Sequence, residues 1–185
     1  LCYEGVLLEN GRVKAIGEIN EICDLYLQDS TEDLGSIWYP KIDETKDFQV
    51  LKVELLSEEK IRKSNFSCDE NIILKIYVVN RKKVPGLFGY LQISKSDGFI
   101  AMVSDSNDVV INKLEQLKIG ESDIQIVIPK RTLNVGSYVV YLNFASRFNI
   151  GGENVDSPQN VCTFTLTDEK TMRGNSRSGF LSTLL

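Results

Sequence analysis

Ser137-Tyr138-Val139-Val140-Tyr141-Leu142-Asn143-Phe144-Ala145 is the stretch on which the reading of this chain turns. Along an extended strand successive side chains point to opposite faces. Val140, Leu142 and Phe144 therefore share a face suited to a core, while Val139, Tyr141, Asn143 and Ala145 share the other. Tyr138 follows Gly136 at the start of the run, where a buried tyrosine hydrogen-bonds the backbone as a corner residue. It is assigned to structure. Two further stretches divide in the same way. Residues 87–94 send Leu87, Leu91 and Ile93 inward and Phe88, Tyr90, Gln92 and Ser94 outward; residues 161–167 send Cys162, Phe164 and Leu166 inward and Thr163 and Thr165 outward.

Outward from these, strand-like runs punctuated by turn residues fall at 50–56, 72–80, 99–104, 123–129 and 179–184. Helix is expected only near the N-terminus and over 112–117. Seven or eight short strands predict an all-β fold, an immunoglobulin-like antiparallel β-sandwich. In such a sandwich the strands at 87–94, 137–145 and 161–167 are neighbours in one sheet. Their outer faces then merge into a surface carrying Tyr90, Gln92, Tyr141, Asn143, Thr163 and Thr165. Sugars present apolar C–H faces edged by hydroxyls, so aromatic rings with amides and hydroxyls at hand suit them. A plainer reading stands beside this one: Tyr and Thr are favoured on any exposed β-surface. On the residues alone, the plainer reading has the stronger claim. Phe148, in the loop after this strand, is a candidate rim contact.

Little in the chain suits catalysis or metal binding. It contains no His, no G-x-S-x-G elbow and no Gly-rich phosphate loop ending in Lys and Ser or Thr, so no catalytic residue is assigned and no ATP hydrolysis is expected. The cysteines at 2, 23, 68 and 162 show no C-x-x-C spacing, and all four are read as small core or surface residues. Asp105, Asp108 and the loop Gly152-Glu153-Asn154-Val155-Asp156 lack the spacing of a calcium loop and are read as solvated. No metal and no cofactor is expected. A formal net charge of −5 argues against nucleic acid, and Arg81-Lys82-Lys83 reads as a solvated loop between strands. No apolar run approaches the roughly 20 residues that span a bilayer.

The N-terminal stretch has a different character. Val6-Leu7-Leu8 and Arg12-Val13-Lys14-Ala15-Ile16 read as two strands joined at Asn10-Gly11, a dipeptide suited to a tight hairpin turn. Ile19, Ile22, Cys23 and Tyr26 then recur at helical spacing. A hairpin and one helix bury too little to stand alone, so residues 1–28 are expected to be the tail of a larger domain. Residues 29–47 are polar and acidic with Gly35 and Pro40 as breakers, and read as a linker. Trp38 within it is expected to pack against a neighbouring domain.

Residues Leu7, Leu8, Glu9, Asn10, Gly11, Arg12, Val13, Ile16 and Gly17, followed by Asp24-Leu25-Tyr26-Leu27, resemble the last strands and helix of an ABC-transporter nucleotide-binding domain. The remainder resembles the C-terminal carbohydrate-binding domain of the O-antigen exporter ATPase, the Wzt family. The carrying residues are Leu133-Asn134-Val135-Gly136-Ser137-Tyr138, Ser96-Asp97-Gly98 and Ser176-Arg177-Ser178-Gly179. The chain departs from the pattern at Leu184-Leu185, where an aromatic-basic end is expected; this bears on how the last strand pairs.

The resemblance implies three parts: a nucleotide-binding-domain tail at 1–28, a linker at 29–47 and a carbohydrate-binding sandwich at 48–185. It implies a non-catalytic domain that binds the terminal structure of a lipid-linked surface polysaccharide to promote export. The implied partners are that glycan, a transmembrane permease reached through the full-length ATPase, and a second copy as a homodimer. The implied location is cytoplasmic, at the inner membrane. The last strand, set off by the polar residues 168–175, is a candidate for exchange between copies. Two rival functions keep the β-pattern: an assembly module without glycan affinity, and a secreted adhesin or hydrolase accessory module, which does not fit residues 1–28.

Overall fold

The structure is a computed structural model that describes residues 3–9, 11–19, 22, 35–148 and 154–182. It divides into two compact units, Leu1–Asp33 and Leu34–Leu185.

In the first unit β1 (Glu4–Glu9) pairs antiparallel with β2 (Arg12–Glu18). This is the expected hairpin, with Leu8 opposite Val13 and Glu9 opposite Arg12. Gly11 takes φ +76°, a left-handed conformation that a tight hairpin turn needs and that glycine adopts without penalty. Leu7 and Ile22 are buried. Gly5 lets Ile22 approach β1 closely: a Cβ there would lie 3.0 Å from Ile22 Cβ. The expected helix falls, beyond Ile19 and Ile22, outside the described residues, as do Cys2 and Cys23.

The second unit is a β-sandwich. One sheet has the order β3 (Ile37–Trp38), β4 (Phe48–Leu56), β6 (Ile72–Asn80), β9 (Gly120–Ile128). The other runs β5 (Asn65–Ser67), β11 (Asn154–Thr167), β10 (Gly136–Ser146), β7 (Leu87–Lys95), β8 (Ile100–Asp105). All pairings are antiparallel except the short β5–β11 ladder. Period-2 alternation explains the layers. Leu74, Ile76 and Val78 of β6 face Leu91 and Ile93 of β7 and Val140, Leu142 and Phe144 of β10 across one continuous core. Phe48 and Phe144 touch across it with centroids 5.1 Å apart.

Several expectations change. The sandwich takes in Ile37–Trp38, which pairs with Val53 and Glu54, and Trp38 packs on the core. An anchored apolar pair thus lies within residues 29–47. Strand β11 begins at Asn154 rather than at residue 161, because its first half carries Pro158 and polar residues that hide it from a propensity reading. Gln159 takes φ +64°, and the β10–β11 register shifts nearby. Another shift, between Val140 and Tyr141, leaves Val161 and Cys162 both buried in succession. Residues 112–117 form a 3₁₀ turn, Lys113–Gln116, in place of a helix.

No strand forms over residues 179–182, contrary to the expected last strand. Hydrogen bonds to the loop before β10 hold this segment instead. Asn134 N–H donates to Phe180 O at 2.9 Å, and its side-chain amide donates to Arg177 O and Gly179 O at 2.8 and 3.0 Å. Ser182 Oγ donates to Leu133 O at 2.9 Å. The segment lies against the loop before β10 of its own chain, and residues 183–185 lie outside the described ones.

Arg131 fastens the same end of the sandwich. Its guanidinium donates to both oxygens of Asp69, at 2.7 and 2.6 Å, and to both of Asp168, at 2.6 and 3.2 Å. Paired forks of this kind are among the stronger polar contacts. Asp168 also accepts from the Thr171 hydroxyl and from the amides of Lys170 and Thr171.

Candidate functional site

The six residues singled out from alternation lie on one face of the five-stranded sheet. In the β7–β10 ladder Tyr90 stands opposite Asn143, Gln92 opposite Tyr141 and Ser94 opposite Val139. In the β10–β11 ladder Thr163 is opposite Val139 and Thr165 opposite Ser137. Directly opposed residues share a face. Tyr90, Gln92, Tyr141 and Asn143 therefore form one compact group, with Thr163 and Thr165 one and two rows further along. All six are half-buried.

Their contacts are ordered. The Tyr90 and Tyr141 rings meet edge to face, with centroids 6.3 Å apart and planes at 78°. Tyr90 Oη donates to Gln92 Oε1 at 3.1 Å, and Gln92 Nε2 donates to Ser94 Oγ at 2.9 Å. The Gln92 amide is thereby fixed in orientation, running along the strand beside the tyrosine pair. Asn143 Nδ2 donates to Asn154 Oδ1 at 2.8 Å, while Asn143 Oδ1 is buried without a partner among the described residues. The hydroxyls of Ser137 and Thr165 lie 3.1 Å apart. Such a face offers two aromatic rings, a held amide and a row of hydroxyls.

Sequence reasoning missed three members of this face. The register shift at Val161 brings Asn160 opposite Tyr141. On the other side Val103 stands opposite Gln92 and Asp105 opposite Tyr90. The strand at 99–104 was legible, but only the ladder says which of its residues meets which. On the far side, β11 amides are already engaged: Thr163 N–H donates to Gly35 O and Thr165 N–H to Ser64 O.

Asp156 is not the solvated carboxylate its loop suggested. It is buried, and it accepts from Lys46 Nζ at 2.6 Å and from Val50 N–H at 2.8 Å, so it ties β11 to β4. Asp108 closes a turn by accepting from Asp105 N–H at 2.8 Å. Among the described residues no group of three or more His, Cys, Asp or Glu gathers as a metal site. Phe148 is exposed and its ring lies over Gly86, where a Cβ would sit 2.6 Å from Phe148 Cδ2. Tyr138 Oη donates to Asn134 O, the corner bond expected of it. Burial pushes its hydroxyl up to about 12 and the Cys162 thiol likewise to about 12. No helix among the described residues is long and apolar enough to cross a membrane.

No protein-family model matches the chain, and no curated protein matches it in sequence. Among solved structures, the C-terminal domain of Wzt aligns over 80% of this chain and 84% of its own, at a TM-score of 0.51 and 12% identity. The chain has the fold of the Wzt C-terminal domain. At that identity the likeness to Wzt is one of fold, and it covers the β-sandwich architecture read from the strands. A β-glucuronidase of glycoside hydrolase family 2 aligns over 65% of this chain and 13% of its own, at 11% identity and a TM-score of 0.42. A Mobiluncus mulieris adhesin aligns over 65% and 58%, at 11% identity and 0.35. Both scores are too low to carry an argument beside that of Wzt.

Proposed function

We propose that this Wzt-like sandwich is a non-catalytic glycan-recognition domain of a polysaccharide-exporting ATPase and that it binds sugar on the outer face of its five-stranded sheet. The observation that carries the reading is the Tyr90–Tyr141 edge-to-face pair lying beside the hydrogen-bonded Tyr90–Gln92–Ser94 row. Aromatic rings offer an apolar surface to the C–H face of a sugar ring. The Gln92 amide, the remaining Nδ2–H of Asn143 and the Thr163 and Thr165 hydroxyls offer donors and acceptors to its hydroxyls. Held side chains lose little rotamer freedom on binding, which favours affinity. Tethered to an ATPase that meets a transmembrane permease, such a face would raise the local concentration of the lipid-linked polysaccharide at the channel. The test is calorimetric titration of the chain with the source organism's own surface polysaccharide; absence of heat and of saturation from a folded protein contradicts the reading.

A second reading, self-assembly of ATPase subunits without glycan affinity, draws on the edges β8 and β9, which have no further strand partner among the described residues. Sedimentation with and without polysaccharide separates the two, since assembly alone gives a concentration-dependent dimer that the glycan does not affect.

A further inference from the structure

On one side of the sandwich the two sheets end at β8 and β9, and a cavity of about 660 Å3 opens between them. Its size is that of a small-molecule site. The floor is core: Ile76, Leu91, Leu142 and Phe144 are each 3% exposed or less. Gly89 keeps the floor open, because a Cβ there would lie 2.9 Å from Phe144 Cε1 and 3.1 Å from Leu114 Cδ1. The wall is incomplete. Ile124 and Ile126 of β9 point inward yet stay half-buried, whereas Leu74, Ile76 and Val78 of the neighbouring β6 are fully buried.

The mouth carries two further signs. Val109, Val110 and Ile111, in the loop after β8, are all exposed, and Val109 lines the cavity. Three consecutive β-branched apolar side chains in water make a greasy lip continuous with the apolar floor. The charged residues that line it are Asp105, Asp123 and Lys113, with Asp123 also 3.7 Å from Lys75. With Lys113 and Lys75 beside Asp105 and Asp123, the charges at the mouth balance, so it offers an anionic head group no net attraction. Uncharged polar groups at Tyr90, Ser104, Ser106, Asn112 and Gln125 also line it.

We propose that this cleft is a second binding site, adjoining the tyrosine face at Tyr90 and Asp105 but opening onto the core between the sheets, that takes a single aliphatic chain bearing an uncharged, hydroxyl-rich head group. The chain lies on the apolar floor and the head stays at the rim. Each methylene that enters the floor raises affinity by about fourfold until the cavity is filled.

The test is titration of the whole chain with octyl and decyl maltoside below micelle formation, followed by amide chemical shifts, with decanoate and free maltose as comparators. The expected result is one saturable site, decyl maltoside binding roughly fifteenfold more tightly than octyl, and shifts centred on Gly89, Ile124 and Ile126. Ile124→Asp, which places a carboxylate against the chain, weakens binding by about tenfold. Should that variant fail to fold, the shift map of the native chain decides alone. Lack of saturation, shifts confined to Tyr141 and Asn143, displacement by maltose, equal affinity for decanoate, or a folded Ile124→Asp variant that binds unchanged each overturns the proposal.

Discussion

The hydroxyl of Tyr138 donates a hydrogen bond to the carbonyl of Asn134 at 2.7 Å, four residues upstream and fully inside the protein. The same Asn134 holds the segment 177–180 through its amides. The bond therefore supports a loop that in turn supports the C-terminal segment. Tyr138→Phe keeps the ring stacked on Phe164, at 5.2 Å between centroids, but leaves the Asn134 carbonyl buried and unpaired. It is expected to cost about 1–3 kcal/mol in urea denaturation and to speed hydrogen exchange at residues 180–182.

Asp168 makes the fold sensitive to acid. The hydrogen bonds from Arg131 hold its carboxyl far below the ordinary carboxylate range, against the opposing pull of burial, with the Thr171 hydroxyl and nearby amides adding to the effect. Asp69 is lowered as well, first by the same guanidinium. A carboxyl whose pKa falls on folding contributes stability that is fully present above its unfolded value, about 3.9, and is lost as pH falls through the folded value. Stability from these groups is therefore level from neutral pH down to about pH 5 and declines below. Asp168→Asn leaves Arg131 half paired; it is expected to cost about 3 kcal/mol at neutral pH and to flatten the decline in acid. Denaturation curves at pH 7 and pH 3 check both.

Cys68 and Cys162 are free thiols inside the sandwich, and burial raises both above the usual thiol range. The reactive species is the thiolate. Neither is expected to label with an alkylating reagent at pH 8 until the chain is unfolded, which peptide mapping after timed alkylation reads directly. Labelling of Cys162 in the folded protein would mean that the two sheets part far more readily than their core implies.

Much of this fold was legible because a half-buried strand writes its two faces into alternate residues. The stretch 137–145, and with it Tyr141 and Asn143, declared its faces in that way, as did Tyr90 and Gln92. The first half of β11 did not, since Pro158 and the polar residues around it carry no apolar rhythm. The segment 179–182 misled in the opposite direction: Phe180 and Leu181 look like strand, yet side-chain and backbone bonds from Asn134 and Ser182 fix another path. Arg131 was invisible because its partners lie 62 and 37 residues away in the chain, and no local pattern reports such a clasp. The same holds for Asp156, whose burial depends on Val50 and Lys46 across the sandwich.

The tyrosine face is the centre of the account, and the most direct measurement is a titration of the native chain and a Tyr90→Ala, Tyr141→Ala variant with the source organism's purified surface polysaccharide. Each ring is proposed to pack against a sugar, an aromatic contact worth on the order of 1 kcal/mol. Saturable binding by the native chain is expected, with amide shifts at residues 90–94 and 139–143, and a loss of about tenfold or more in the folded variant. Equal affinity in the two, or no binding by a well-folded native chain, would contradict it.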